Sequence, residues 1–357
     1  MSDELKALRS RIDALDLEIL RLVNERAEVA HTIGGLKGDG VFYRPEREAQ
    51  VLRRLADANE GPLPNMSVTQ LFTEIISACR ALETGLTVAC LGPKGTFSEE
   101  AVNKHFGGQV QVAHCATIDE VFRSVESGAS RYGVVPVENS TEGAVGRTLD
   151  LLQGTPLQVG GEIELAVHQC LLSKAQDLGA VTRVYSHAQS LAQCNRWLNQ
   201  NLAAVERVPV GSNAEAARLA SLDASSAAIA GRSAGKHYDV PVIFANIEDE
   251  PNNTTRFVVI GDQAVPPSGR DKTSIVMSAR NRPGAIHELL SPLASNQVSM
   301  TRLESRPSRT GLWEYVFFVD LEGHVTDAKV ARALDEMRER AGFLKVLGAY
   351  PVVVERS

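Results

Sequence analysis

The sequence has few cysteines, and neither its cysteines nor its histidines show the spacings that usually hold a metal ion. There is no CxxC pair, and the eight histidines include no HExxH motif, so we expect no structural metal. The number of cysteines is odd and we find no signal peptide, which favours free thiols in a reducing cytoplasm. The five cysteines are Cys79, Cys90, Cys115, Cys170 and Cys194.

Long apolar runs and an excess of basic charge are also missing. No apolar run approaches the roughly 20 residues of a membrane span, and a net charge of -7 disfavours an extended nucleic-acid interface. The absence of GxGxxG and GxxxxGKS motifs disfavours nucleotide binding. What remains is typical of a soluble globular protein, with 43% apolar and 23% charged residues. A length of 357 residues suits two or three domains.

Residues 1–85 have a helical pattern. One apolar seam repeats at alternating steps of four and three, which predicts a helix of about 33 residues, roughly 50 Å long. Two shorter helices, opening at Pro45 and at the capping-box pattern Ser67–Gln70, cannot cover so long a seam. We therefore predict an intertwined dimer. The apolar seam residues are Leu8, Ile12, Leu15, Ile19, Leu22, Val29, Ile33 and Leu36.

The spacing of apolar residues changes twice along the rest of the chain. Residues 86–263 alternate short apolar runs with amphipathic stretches, which predicts an α/β fold of two lobes around a cleft. The predicted elements include the strand Thr87–Leu91 and the helices Ser190–Asn199 and Asn213–Leu222. A Pro-Pro-Ser-Gly linker at 266–269 precedes residues 273–357, whose βαββαβ order is ferredoxin-like, with one strand predicted at Glu314–Val319. The predicted fold class is therefore multidomain, with an all-α, a two-lobed α/β and an α+β domain.

Several charges in the first region fall where apolar residues are expected. Arg26 occupies the seam, and burying an unpaired guanidinium is costly, so an anionic group must meet it. Lys37 follows about 20° around the helix, while Glu48 and Glu83 join apolar stripes of the second and third helices. A lone seam arginine is commonly a register device or an internal ion pair, for instance with Glu48. Four ionisable groups on three inner faces favour a site for a small dianion.

These residues resemble the all-helical chorismate mutases over about 80 residues, through Leu8–Asp13, Asn24–Arg26, Lys37, Arg47-Glu48 and Ile75-Ile76. The resemblance implies that Arg26, Lys37 and Arg9 from the partner chain grip the two carboxylates of chorismate. It implies Arg47 as a neighbouring site residue and Glu48 as the acceptor for the substrate hydroxyl. Arg44 and Cys79 depart from a common family pattern and are assigned no role beyond lining the pocket.

Glu83 stands where some members of that family place a glutamine facing the ether oxygen of the substrate. An ionised carboxylate cannot donate a hydrogen bond, so Glu83 is expected to act in its protonated form. The reaction is a pericyclic rearrangement, which needs positioning and charge stabilisation and no cofactor.

The second region resembles the prephenate dehydratases over about 175 residues. The resemblance rests on Leu91–Thr96, Val135–Asn139 and the triplet Thr255-Arg256-Phe257. It implies two lobes like those of periplasmic binding proteins and no cofactor. Thr255 is the predicted hydroxyl donor, and His187 is either a general acid or a structural residue. The predicted substrate-binding residues are Glu138, Asn139, Ser186, His187, Gln193, Arg256 and Phe257.

The third region resembles the ACT domain of phenylalanine-inhibited dehydratases, through Asn281–Ile286 and Glu304–Pro307. A glycine turn at a helix start offers amides to a carboxylate. A purely structural ferredoxin-like domain is the alternative. The predicted effector-binding residues are Gly284, Ala285, Ile286, Glu304, Ser305 and Arg306.

Together the resemblances identify a bifunctional chorismate mutase/prephenate dehydratase with an ACT domain, that is, an isomerase and a lyase. The implied domains are 1–85 (mutase), 86–263 (dehydratase) and 273–357 (ACT). The implied ligands are chorismate, prephenate and inhibitory L-phenylalanine, in a cytoplasmic homodimer or higher homo-oligomer without nucleic acid or membrane. The rival interpretation is a two-lobed sensor without catalysis. A mutase–dehydrogenase fusion is a second rival, and the missing dinucleotide motif argues against it.

Overall fold

The computed structural model describes residues 3–37, 43–83, 85–279, 282–308 and 315–353. Three domains follow one another along the chain, as the three sequence patterns predict. None of the helices in these segments has the length and apolar composition of a membrane span. The five cysteines are free, and four of them are buried.

Within the described residues, the first domain has three helices, α1 (Asp3–Lys37), α2 (Pro45–Asp57) and α3 (Asn65–Ala81). Proline at the start of α2 is favoured because its missing N–H would be unpaired there in any case. Helix α3 begins two residues before the predicted capping box, after Pro64, so the prediction of a Ser67 cap is wrong. All eight seam residues of α1, from Leu8 to Leu36, are exposed, with 46% to 84% of their surface open to solvent.

The second domain has two lobes, each built on its own sheet. The first sheet has the order β2-β1-β3-β11-β5, with β4 beside β3, and the second has the order β10-β6-β9-β7-β8. The chain enters the second lobe after β5 and returns to the first before β11. The strands are β1 (Thr87–Leu91), β2 (Gln111–Cys115), β3 (Tyr132–Asn139), β4 (Gly143–Ala144), β5 (Gln158–Ala166), β6 (Cys170–Ser173), β7 (Arg183–His187), β8 (Glu206–Val210), β9 (Ser226–Ala230), β10 (Val242–Phe244) and β11 (Thr254–Gly261).

Helices pack against both sheets and bury their apolar sides in four cores. Thr96, Thr117 and Ser212 cap helices with their side-chain oxygens, as these residue types favour. The helices are α4 (Phe97–Phe106), α5 (Ile118–Glu126), α6 (Gly146–Gly154), α7 (Ala188–Gln193), α8 (Asn195–Asn201), α9 (Asn213–Leu222) and α10 (Arg232–Tyr238).

The third domain has one antiparallel sheet of order β13-β14-β12-β15 and two helices on one face, the predicted ferredoxin-like arrangement. Its other face shares a core with the first lobe of the dehydratase region. Gly348 allows this approach, because a Cβ there would overlap the carbonyl oxygen of Val159 on β5. The elements are β12 (Asp271–Ser278), α11 (Ala285–Ser295), β13 (Met300–Pro307), β14 (Tyr315–Glu322), α12 (Ala328–Arg340) and β15 (Phe343–Pro351).

Candidate active sites

A cavity of about 820 Å³ opens between the three N-terminal helices. It is lined by both polar and apolar side chains, and four predicted mutase residues are among them: Arg26, Arg47, Glu48 and Glu83. Arg44 and Cys79, to which the sequence analysis assigned no role beyond lining the pocket, line it as well. The side chain of Lys37 lies outside the described residues. Arg9 lies on the exposed side of α1 and is not among the residues lining this cavity.

Arg26 enters the cavity from α1. Its Nη1 lies 3.1 Å from the Sγ of buried Cys79 on α3, a weak acceptor. A guanidinium has five donors, so most of the hydrogen-bonding capacity of Arg26 is available to an anionic ligand. The cavity therefore combines a cation with apolar walls, as a small carboxylate ligand requires.

Glu48 enters from α2 and forms an ion pair with a residue that sequence reasoning missed. Arg80 on α3 donates from Nη1 to Glu48 Oε1 over 2.6 Å, and its side chain is 6% exposed. Burial raises the pKa of Glu48, and the positive charges of Arg80 and Arg26 oppose that rise. The four-residue spacing of Phe72, Ile76 and Arg80 on one helix face is the signal that could have identified this residue.

Glu83 lies just past the end of α3, in a turn, and not on a helical stripe as predicted. Its half-buried side chain crosses Gly34 of α1, where a Cβ would come within 2.8 Å of the carboxyl group. Glycine at position 34 therefore makes room for this carboxyl group beside the cavity.

The second site is a cleft between the two lobes, with a cavity of about 340 Å³. The first turns of α4 and α9 meet there, since Thr96, Ser98, Ser212 and Asn213 all line it. Helix N-termini present unpaired N–H groups and partial positive charge, which favour carboxylate binding. The predicted residues Asn139, His187, Gln193 and Thr255 also line this cleft.

Asn139 is the centre of the hydrogen-bond network in the cleft. Its Oδ1 accepts from the backbone N–H groups of Thr141 and Glu142, both at 3.1 Å. Because these partners are donors, the amide orientation is fixed and Nδ2 must face the other way. Nδ2 donates to Thr255 Oγ1 and to Asn253 Oδ1, both at 2.8 Å.

Hydrogen bonds also cross from one lobe to the other. Gln193 on α7 donates to Thr141 Oγ1 and accepts from Asn253 Nδ2, both over 3.3 Å. Behind it, Gln169 donates to Ser190 over 3.1 Å. Sequence reasoning missed Gln169, Ser190 and Asn213, which also line the cleft. Their position next to strand ends and helix starts is the signal that could have identified them.

Four predicted cleft residues have their side chains elsewhere. Ser186 is buried and donates to the carbonyl of Ile229, and Phe257 packs in the core under β11. Arg256 points to the opposite face of β11 from Thr255, where it binds Glu162 and Asp320. Glu138 forms an ion pair with Arg302 of the third domain over 2.6 Å. For Ser186, Arg256 and Glu138 the placement corrects the sequence expectation because side chains alternate between the two faces of a strand. Phe257 lies two residues beyond Thr255 and is out of the cleft because it lies deeper, in the core.

The predicted effector residues lie in two segments of the third domain. Ser305 pairs with Phe317, which pairs with Met277 near the end of β12, so β13 and the start of α11 share one end of the sheet. Gly284 precedes α11 with a φ of 78°, and Ile286 is exposed. Arg306, by contrast, packs over Gly146 and lies 3.5 Å from Asp150 of the dehydratase region. Asn281 lies outside the described residues.

Among the described residues, no group of three or more His, Cys, Asp and Glu side chains is arranged to hold a metal ion. The first cavity instead presents arginine and carboxylate groups, and the cleft presents amide and hydroxyl groups. These can bind carboxylates, donate hydrogen bonds and orient a substrate.

Comparison with known proteins gives the same three-part division. Family profiles match residues 8–84 (Chorismate mutase type II), 88–265 (Prephenate dehydratase) and 273–339 (ACT domain). The bifunctional chorismate mutase/prephenate dehydratase of Neisseria gonorrhoeae is 54% identical, over 97% of this chain and 96% of that protein. The Pseudomonas aeruginosa protein with the same name is 51% identical over 99% of both chains.

A solved structure extends the similarity to the fold. The prephenate dehydratase of Arthrobacter aurescens, in complex with L-Phe, aligns with a TM-score of 0.69 and 31% identity. The alignment covers 75% of this chain and 90% of that one. The chain therefore belongs to the family of bifunctional chorismate mutase/prephenate dehydratases.

Proposed function

We propose that the chain rearranges chorismate to prephenate in the helical cavity and converts prephenate to phenylpyruvate in the cleft. The observation that carries this proposal is the presence of two separate polar cavities, each lined by residues of the matching family motif. Loss of carbon dioxide and of the ring hydroxyl then completes the second reaction. A sensor without catalysis has no use for the buried charges of the first cavity.

In the mutase site, Arg26 and Lys37 bind the carboxylates of chorismate and hold its compact conformer. Glu48 accepts the hydrogen bond of the substrate hydroxyl, and protonated Glu83 donates to the ether oxygen. Arg47 stands beside them. Catalysis then rests on orientation and on stabilising the charge that develops on that oxygen, without a nucleophile.

Arg9 enters the same site from a second copy of the chain. The eight exposed seam residues of α1 support this, because an apolar stripe of that length is rarely left open to water. A second copy laid along α1 covers the stripe and brings its own Arg9 towards the cavity. The working unit is then at least a homodimer.

In the dehydratase site, Thr255 assists the departure of the ring hydroxyl. Asn139 donates to Thr255 Oγ1, so the threonine proton is free to point into the cleft. A hydroxyl is a weak acid, but aromatisation drives the step and a positioned hydrogen bond suffices. Asn139 and Gln193 orient the substrate, and the first turns of α4 and α9 bind its carboxylates. We assign His187 no proton-transfer role.

Phenylalanine bound to the ACT domain inhibits the dehydratase by favouring one arrangement of the cleft. The contacts that support this lie behind the site. Arg302 of the third domain binds Glu138, the strand neighbour of Asn139. Asp320 of the third domain binds Arg256, the strand neighbour of Thr255. A shift of the ACT sheet therefore acts on both strands that carry the cleft residues.

The free cysteines favour a cytoplasmic location.

The test of the separate sites is Thr255→Ala in the full chain. We expect dehydratase turnover of prephenate to fall by about a hundredfold or more, because a transition-state hydrogen bond is removed, while chorismate turnover stays at the wild-type rate. Thr254→Ala is the matched control, since the described hydrogen bonds of Thr254 involve its backbone. Loss of both activities in folded Thr255→Ala protein would contradict two separate sites.

A further inference from the structure

Arg80 is a buried cation that the proposed mutase reaction does not use. We propose that Arg80 is a positioning residue of the mutase site, which holds the Glu48 carboxylate and ties it to helix α4 of the dehydratase domain. The inference rests on the proposed role of Glu48 as the acceptor for the substrate hydroxyl. The mutase site then depends on the contact between Arg80 and Phe106, which lie in different domains.

The geometry of the guanidinium supports this role. Nη1 donates to Glu48 Oε1 over 2.6 Å, and Nη2 donates to the carbonyl oxygen of Phe106 over 2.6 Å. Phe106 is the last residue of α4, where carbonyl groups lack partners within the helix and carry partial negative charge. The rigid fork of Arg80 therefore fixes Glu48 relative to the end of that helix.

Two aromatic rings enclose the same guanidinium. Its Cζ lies 5.2 Å from the ring centroid of Tyr43 and 5.8 Å from that of Phe106, within the range of cation–π attraction. Tyr43 is 3% exposed and Phe106 is 1% exposed. Removal of Arg80 leaves the Glu48 carboxylate, whose side chain is 20% exposed, and the buried carbonyl of Phe106 without this partner.

The backbone around this contact is closely packed. Gly107, which follows α4 with a φ of 76°, lies so near Ser77 of α3 that a Cβ would overlap it. Gln109 N donates to Ser77 Oγ over 3.2 Å. Helix α4 begins beside the dehydratase cleft at Phe97 and ends at the contact with Arg80. One ten-residue helix thus connects the two active sites.

Charge decides the consequence of losing Arg80. The groups around Glu48 are Arg80 on α3, Arg26 on α1, Glu46 on its own helix α2 and Tyr43 just before that helix. On α4, Lys104 and His105 line a small cavity that Glu48 also borders. Burial raises the pKa of Glu48, whereas Arg80 and then Arg26 lower it. Without Arg80 the pKa rises further, so the ionised acceptor is lost at low pH and recovered as the pH rises.

The experiment measures mutase kcat and KM of the full chain between pH 5 and 9, with the dehydratase rate on prephenate as the internal control. For Arg80→Met we expect mutase kcat/KM near pH 6 to fall by about tenfold to a hundredfold, as loss of one charge-assisted hydrogen bond implies. The deficit should shrink towards pH 9. Arg80→Lys, which keeps the charge, should retain the wild-type position of the acid limb with a smaller loss.

Ser77→Ala is the matched control, because it removes a hydrogen bond between the same two domains without touching Glu48. It should leave the mutase pH profile unchanged. A wild-type mutase pH profile in Arg80→Met overturns the inference. An equal loss of mutase activity at every pH in Arg80→Met, Arg80→Lys and Ser77→Ala also overturns it.

Glu48→Gln separates this inference from the proposed function. If Glu48→Gln lowers mutase activity and Arg80→Met leaves it at the wild-type level, only the role of Arg80 is overturned. Wild-type activity of Glu48→Gln overturns the acceptor role of Glu48, and the role of Arg80 with it.

Discussion

Replacement of Arg256 by methionine tests how firmly the ACT domain is held against the back of the dehydratase site. Arg256 donates to Asp320 Oδ2 over 2.6 Å, to Glu162 Oε2 over 3.1 Å and to the hydroxyl of Tyr350 over 3.1 Å. The change removes the guanidinium and keeps an unbranched side chain of similar length. It leaves both carboxylates in place at the interface.

The size of the effect follows from what each carboxylate retains. Their side chains are 1% (Glu162) and 6% (Asp320) exposed, so neither gains much from water. Glu162 keeps Lys272 at 2.7 Å, whereas Asp320 keeps the neutral hydroxyl of Ser274 at 2.5 Å. Removing one partner of a buried ion pair costs about 3 to 5 kcal/mol. The retained lysine places the expected cost at the lower end, about 3 kcal/mol.

Hydrogen exchange is the appropriate assay, because a three-domain chain does not unfold in a single two-state step. Amides of β14 and β15 should exchange about a hundredfold faster in Arg256→Met, the equivalent of about 3 kcal/mol. Arg302→Met is the matched variant, since its partner Glu138 is 38% exposed and solvation compensates most of the loss, to about 1 kcal/mol. Wild-type protection in Arg256→Met, or equal effects of both variants, would refute this reasoning.

Two further predictions concern the mutase domain. Mutase activity should fall as the pH rises, because Glu83 must be protonated to donate a hydrogen bond. Glu83→Gln should flatten that dependence. Equal pH profiles in the two proteins would count against Glu83 as the donor. Ile19→Asp on the exposed seam should convert the proposed dimer to monomer in analytical ultracentrifugation and lower mutase turnover, because a second copy would no longer supply Arg9. A stable dimer in that variant would contradict the proposed interface.

Periodicity alone predicted much of the architecture. The predicted strand Thr87–Leu91 and helix Asn213–Leu222 have the observed bounds. The predicted helix Ser190–Asn199 is instead two short helices broken at Cys194. The predicted strand that starts at Glu314 begins among residues outside the described part of the chain. Local pattern identifies elements because it follows from which face each element buries.

The sites show where such reasoning stops. Thr255 and Arg256 are neighbours on one strand, so alternation already implies that they face opposite sides. The sequence does not say which side is the cleft and which is the ACT interface, because that depends on how distant domains pack. The same holds for Arg80, whose partners Glu48 and Phe106 lie 32 and 26 residues away in the sequence. The partners of these residues are determined by packing between segments that are distant in the sequence.

The most direct test of the two-site account supplies chorismate alone to the full chain and follows phenylpyruvate. The wild-type protein should form phenylpyruvate, and added L-phenylalanine should slow its appearance. Thr255→Ala should consume chorismate at the wild-type rate and stop at prephenate. Consumption of chorismate by the wild-type protein without any phenylpyruvate, or undiminished phenylpyruvate from Thr255→Ala, would contradict the account.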